Sequence, residues 1–205
     1  ASLVELATGS LFNGFWIEFS EQLIEQGFRS GDGWFFTGRL LRWLHTTSHL
    51  AVFCVQQPGD IFVVGFTGKP WSPGEVGPGR KGNPVGPAFN THKIAPPLSG
   101  IKDNDYTANF AEFLKRRKPG SPFCFWYGSV EPDRVHDRGS GLRSGKKLDD
   151  VEVPYFLPDT KEVRSDFLDY FTEIEWFDRQ LGQMLDMLEK SGELENTLVI
   201  VTADN

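Results

Sequence analysis

TLVIVTADN, residues 197–205, is the stretch on which the reading of this chain turns. Leu198 to Val201 is an unbroken aliphatic run, the pattern of a strand buried on both faces of a parallel sheet flanked by helices. It ends in Asp204 and Asn205, two oxygen-bearing side chains at the strand's C-terminal end. In open α/β sheets that end is where ligands bind. A carboxylate beside a carboxamide offers hard oxygen ligands to Ca²⁺ or Mg²⁺. An Asp-Asn pair is also an ordinary turn opener, so the segments before it must decide between the two.

Immediately upstream, Lys161–Lys190 reads as a long helix. Asp159 is the expected cap, with Glu162 three residues on in a capping-box arrangement. Val163, Phe167, Tyr170, Phe171, Ile174, Phe177, Leu181, Leu185 and Leu188 recur at spacings of three and four, and Ser191-Gly192 stops the run. This stripe is core packing rather than a cofactor box. Further back, Phe123–Tyr127 (FCFWY) reads as a buried strand. It delivers a polar loop, Glu131 to His136, in which Asp133 and His136 are candidate site residues. Asp103–Arg117 reads as a helix capped by Asp103 or Asp105, its basic end suited to the helix dipole. Ile61–Phe66 (IFVVGF) reads as another short strand, running into a Gly/Pro-dense loop that carries Lys69. An ammonium just past a strand end can neutralise an oxyanion; alone, it would read as a solvated loop lysine.

The order strand, Lys69 loop, helix, strand, Asp133/His136 loop, long helix, strand predicts an α/β fold. It implies a mainly parallel sheet with crossover helices on both faces. It also sends a cation, a mixed polar loop and a metal-type pair to one sheet edge. Residues 1–60 form a poorly readable N-terminal stretch, and 61–205 an α/β unit. His45 and His49 stand four apart, but Thr46-Thr47-Ser48 between them is poor helix material and no Glu follows His45, so the pair reads as non-metal. The net charge of −7 over 205 residues argues against nucleic acid as the main partner. No window has the apolar length of a membrane span. Cys54 and Cys124 make neither a disulfide framework nor a zinc spacing.

Taken together, VGFTGKPWSPG, GRKGNPVGPAFN, FCFWYGSVEPDR, GSGLRSGKKLDDVEVPYFLPDT, the EIEWFDRQLG helix and NTLVIVTADN resemble the sulfatase family of the alkaline phosphatase-like superfamily, and within it bacterial heparan N-sulfatase-like and arylsulfatase members. The resemblance covers the last two thirds of the chain, as part of a sulfatase catalytic domain. It implies an incomplete alkaline phosphatase-like fold and a Ca²⁺-dependent hydrolase of sulfate esters or sulfamates on sugars, glycosaminoglycans included. The family's nucleophile is a formylglycine matured from a Cys/Ser-x-Pro-x-Arg motif. The resemblance matches Lys69 to a sulfate-contacting lysine, and Asp204 and Asn205 to metal ligands. It implies a periplasmic or extracellular location and specifies no oligomer.

Several departures qualify the expectation. No Cys/Ser-x-Pro-x-Arg occurs in the chain, and the family's early Asp-Asp metal pair is missing. Ala1-Ser2-Leu3 resembles the residues just past the family's nucleophile motif, so the chain is expected to be an internal fragment, inactive by itself. Where the family has Pro-His-Arg, this chain has Pro132-Asp133-Arg134. A carboxylate there repels sulfate, and His136 is the available substitute. Residues 4–59 do not share the resemblance and are expected to be divergent or frame-shifted. Two other readings stand beside the first: a phosphoester or phosphonate hydrolase of the same superfamily, and a non-catalytic sulfated-glycan-binding relative.

Overall fold

The computed structural model describes residues 63–70, 83 and 85–202, together with the backbone of residue 203 and of four strands before residue 56. In chain order the elements are β1 (Val4–Leu6), β2 (Arg29–Ser30), β3 (Gly33–Trp34), β4 (His49–Val55), β5 (Val63–Gly68), α1 (Tyr106–Arg116), β6 (Phe123–Gly128), α2 (Ser140–Arg143), α3 (Lys161–Ser191) and β7 (Thr197–Ala203). Five strands form one sheet in the order β1-β7-β4-β6-β5, while β2 and β3 make a separate antiparallel pair.

The alternation of elements implies that the strands at 61–66, 123–127 and 198–202 are neighbouring and mainly parallel, and the pairing corrects this in part. β5 and β6 are parallel neighbours, as the alternation predicts. β7, however, is separated from β6 by β4, which runs antiparallel to both. β1 pairs parallel with β7, so β1, β5, β6 and β7 point the same way and only the inserted strand is reversed. The C-terminal ends therefore lie level. Gly68 is opposite Gly128, Gly128 opposite Leu50, and Leu50 opposite Thr202.

Side-chain alternation shows which face the helices cover. In β6, Phe123, Phe125 and Tyr127 are buried while Cys124 and Trp126 are half-buried. In β7, Val199 and Val201 are buried while Leu198 is exposed. The buried set joins Phe110 and Phe113 of α1 and Trp176, Phe177, Leu181, Met184, Leu185 and Leu188 of α3 in one core. Among the described residues, then, helices cover one face of the sheet, not the two expected. The rings pack in offset and edge-on pairs: Phe113 lies 4.6 Å from Phe125, and Tyr127 stacks on Phe177 at 4.9 Å. Each such aromatic contributes about 1.5–3 kcal/mol relative to exposure.

α1 begins at Asp105, whose carboxylate accepts the Ala108 N–H at 2.9 Å. The cap of α3 is Thr160, not Asp159: its hydroxyl accepts the Val163 N–H at 3.3 Å. Asp159 instead makes a two-pronged pair with Arg164, at 2.5 and 2.7 Å. Gly192, at φ 74°, closes α3 with its own N–H on Glu189 O, and Glu193 N–H on Leu188 O. At 31 residues α3 is roughly 46 Å long, about twice a seven-residue strand. Only its second half packs on the sheet. This is why Val163, Phe167, Tyr170 and Phe171 of the anticipated apolar stripe are only half-buried.

Asp178 lies in that second half. Burial pushes its carboxyl up to about 6, and nearby Glu175 adds to the shift. A carboxyl raised in the folded state contributes most favourably below about pH 4, and its contribution falls as pH rises to about 6 and is flat beyond. Asp178→Asn removes the cost of charging. Allowing for the side chain's partial exposure, it should stabilise the chain by roughly 1–2 kcal/mol at pH 7 and by nothing near pH 4. Urea denaturation at the two pH values checks this, and equal stability of parent and variant at pH 7 would disprove it.

Candidate functional site

Lys69 follows directly on β5, and two glycines make its position possible. Gly68 has φ 80°, a left-handed conformation that glycine adopts without penalty. A Cβ on Gly68 would stand 1.8 Å from Gly128 O, and one on Gly128 would stand 2.3 Å from Lys69 O. The Lys69 N–H donates to Gly128 O at 2.6 Å, tying the ends of β5 and β6 together. Beneath this turn runs a relay of amides. Asn90 Oδ1 accepts the Gly68 N–H at 2.8 Å and the Thr67 hydroxyl at 3.0 Å. Asn104 Nδ2 donates to Thr67 Oγ1 and to Asn90 Oδ1, and Asn109 Nδ2 donates to Asn104 Oδ1. The relay fastens the end of β5 to the start of α1, leaving Lys69 half-buried on a fixed base.

The loop after β6 starts from Glu131, which is fully buried. Its Oε1 accepts the Lys102 N–H at 2.6 Å; its Oε2 accepts the Tyr106 hydroxyl at 2.7 Å and the Ser129 hydroxyl at 2.9 Å. Tyr106 Oη also accepts the Val130 N–H. Burial, reinforced by the Glu131 carboxylate, holds the Tyr106 phenol well above its usual range. Beyond Glu131 the loop is gripped by acids on one face of α3. Glu173 Oε2 accepts the Asp133 N–H at 2.8 Å, Asp166 pairs with Arg134 at 2.5 Å, and Asp169 accepts the Gly139 and Gly141 N–H groups at 2.7 and 2.9 Å. The spacing 166, 169, 173 places all three on one side of the helix.

His136 is buried against α3, with its ring 5.7 Å from that of Tyr170. Its Nδ1 lies 3.1 Å from Glu173 Oε1. The two atoms are close enough for an ion pair, but neither makes an aligned hydrogen bond. Burial pushes the Glu173 carboxyl up, opposed by the Asp133 N–H and by His136. Asp133, in contrast, is exposed.

The level strand ends thus bring Lys69 and the Asp133–His136 loop to one edge of the sheet. Thr202 stands three strand spacings from Gly68, roughly 14 Å. Asp204 and Asn205 lie outside the described residues. Among the described residues no group of three or more His, Cys, Asp or Glu side chains could hold a metal ion, and no helix is long and apolar enough to cross a membrane. A cleft of about 420 Å³ between α1 and α3, lined in part by Ile94, Trp176, Arg179 and Met187, contains none of the candidate residues.

Three groups central to this architecture escape a reading by residue type: Glu131, Asp169 and Glu173. An acid in a loop or on a helix normally faces water. Asp169 and Glu173 leave one sequence signal, the helical spacing of acids at 166, 169 and 173 within α3; Glu131 leaves none.

No solved structure matches the chain significantly. Among curated proteins, human N-sulphoglucosamine sulphohydrolase is 43% identical over 56 residues, which is 27% of this chain and 11% of that protein. The chain therefore matches only about a tenth of the length of this relative. The sulfatase family profile matches residues 62–205, from the start of β5 past the end of β7. Since that match takes in both strand-end loops and the helix that grips them, the chain belongs to the sulfatase family.

Proposed function

We propose that the complete protein hydrolyses sulfate esters or sulfamates on sugars, glycosaminoglycan fragments among them, in the periplasm or outside the cell. The observation that carries this reading is the family match over residues 62–205. The partial similarity to a human protein named for sulphoglucosamine hydrolysis supports the sugar.

In this reading the Lys69 ammonium neutralises a sulfate oxygen as charge builds on it. Lysine suits the task as a compact charge on a flexible stem, and its rigid backbone aims that stem from the strand end. His136 handles a proton at the same edge. Asp204 and Asn205 have the oxygen donors that Ca²⁺ takes, but two ligands fall short of the six to eight it normally needs. The bound ion would supply polarisation of the sulfate; the proton and charge handling assigned to Lys69 and His136 does not run through it. The chain has no Cys/Ser-x-Pro-x-Arg for a formylglycine nucleophile. By itself it is therefore expected to bind rather than turn over.

One observation favours a second reading, a relative that binds sulfated glycans without catalysis. The Asp133 carboxylate is exposed and has no side-chain partner among the described residues, so it would repel an incoming anion. Assays of the complete protein on a sulfated aryl substrate and on N-sulfoglucosamine separate the two. The hydrolase reading expects Lys69→Ala to lose about 10²-fold in kcat/KM. Binding without turnover in the parent would support the second reading, and a fully active Lys69→Ala would refute the role given to Lys69.

A further inference from the structure

We propose that Glu173 is a positioning residue that holds the proton of His136 on Nδ1, so that Nε2 is the nitrogen left to act on a ligand. The inference deepens the proposed function and rests on it for its catalytic meaning; its structural content stands independently.

Two buried polar atoms, His136 Nδ1 and Glu173 Oε1, lie 3.1 Å apart, and among the described residues neither has another hydrogen-bond partner. Buried polar groups in folded proteins are almost always paired. A single proton between these two atoms satisfies both. Glu173 is the natural acceptor: an imidazole nitrogen is ordinarily a stronger base than a carboxylate, so a proton shared by the two sits on the ring, while the other oxygen, Oε2, accepts the Asp133 N–H at 2.8 Å. The carboxylate is thus engaged twice, once by backbone and once by the ring, and the proton belongs on Nδ1. Which ring nitrogen of a histidine carries the proton is set by the partner of the other.

The surroundings leave the carboxylate little room to turn away. Gly100, at φ 96°, passes so close that a Cβ there would stand 3.2 Å from Glu173 Oε1 and 2.8 Å from Val135 O. The Tyr170 ring, one turn earlier on α3, lies edge-on to the imidazole. Glu131 is the other carboxylate that acts on Glu173 electrostatically, and it is held by its own three donors.

The test separates positioning from mere packing. ¹⁵N NMR of the full 205-residue chain, with its histidines labelled, reports which ring nitrogens carry protons, and His136→Gln identifies the resonance. In the parent, Nδ1 is expected to be protonated. In Glu173→Gln the amide carbonyl can still accept the Asp133 N–H while the NH₂ donates to the ring, so Nδ1 should become bare and the proton should move to Nε2. Asp133 amide exchange should stay near parental in Glu173→Gln and speed up at least about tenfold in Glu173→Ala. A bare Nδ1 in the parent, or an unchanged tautomer in Glu173→Gln, overturns the inference. Absence of turnover by the complete protein on either sulfated substrate would instead count against the proposed function and leave the tautomer result intact.

Discussion

Glu131→Ala is expected to destabilise the chain by about 4 kcal/mol, more than any other single substitution at this sheet edge. The side chain is fully buried and accepts from the Lys102 N–H, the Tyr106 hydroxyl and the Ser129 hydroxyl. Alanine removes the acceptor and leaves these donors buried without it. Each stranded donor costs about 1–3 kcal/mol, and partial rescue by water entering the gap limits the sum. Glu131→Gln should cost less, because a carbonyl oxygen remains for two of the donors while the amide opposes the third. Urea unfolding of the three proteins measures the order. An alanine variant within about 1 kcal/mol of the parent would mean that the donors find water, and that the carboxylate is not the anchor of this loop.

Gly68→Ala is expected to cost about 3 kcal/mol. A left-handed backbone at φ 80° costs a residue with a Cβ roughly 1–2 kcal/mol. The new methyl would also stand 1.8 Å from Gly128 O, forcing the ends of β5 and β6 apart, and overpacking of this kind costs about 1–3 kcal/mol. Separation of the strands breaks the bond from the Lys69 N–H to Gly128 O. Hydrogen exchange at the Lys69 amide should therefore accelerate together with the drop in stability. Unchanged exchange in a destabilised variant would show that the strain is relieved elsewhere.

The sequence is informative wherever one residue's own chemistry settles the matter. The aliphatic run at 198–201, the aromatic run at 123–127 and the periodic stripe of 161–190 each became the expected element, within a few residues. The helix ends followed local rules at Asp105 and Gly192. At the start of α3, two adjacent residues could both cap, and the choice of Thr160 over Asp159 hinged on Arg164, a partner five residues away from Asp159. β5 runs two residues past its expected end because its pairing with β6 continues through Thr67 and Gly68, opposite Tyr127 and Gly128 far along the chain. The insertion of β4 between β6 and β7 was illegible for the same reason. Strand order is a long-range property, and Arg39–Val55 carries no clean period to announce a strand. In the site, Lys69, Asp133 and His136 were visible as polar residues just past strands. Glu131, Asp169 and Glu173 were not, because acids become anchors only when the fold buries them beside donors.

The row of acids along α3 has a mechanical consequence. Three successive side chains of one rigid rod hold the loop that carries Asp133 and His136. Farther along the same rod, Phe177 is stacked on Tyr127 of the sheet. The loop is therefore tied to this rod at several points along its length. A ligand drawing Asp133 inward at the sheet edge would have to break the bond from its N–H to Glu173 or shift the rod against β6. Recognition at this edge is accordingly expected to resemble a lock fitted to its key.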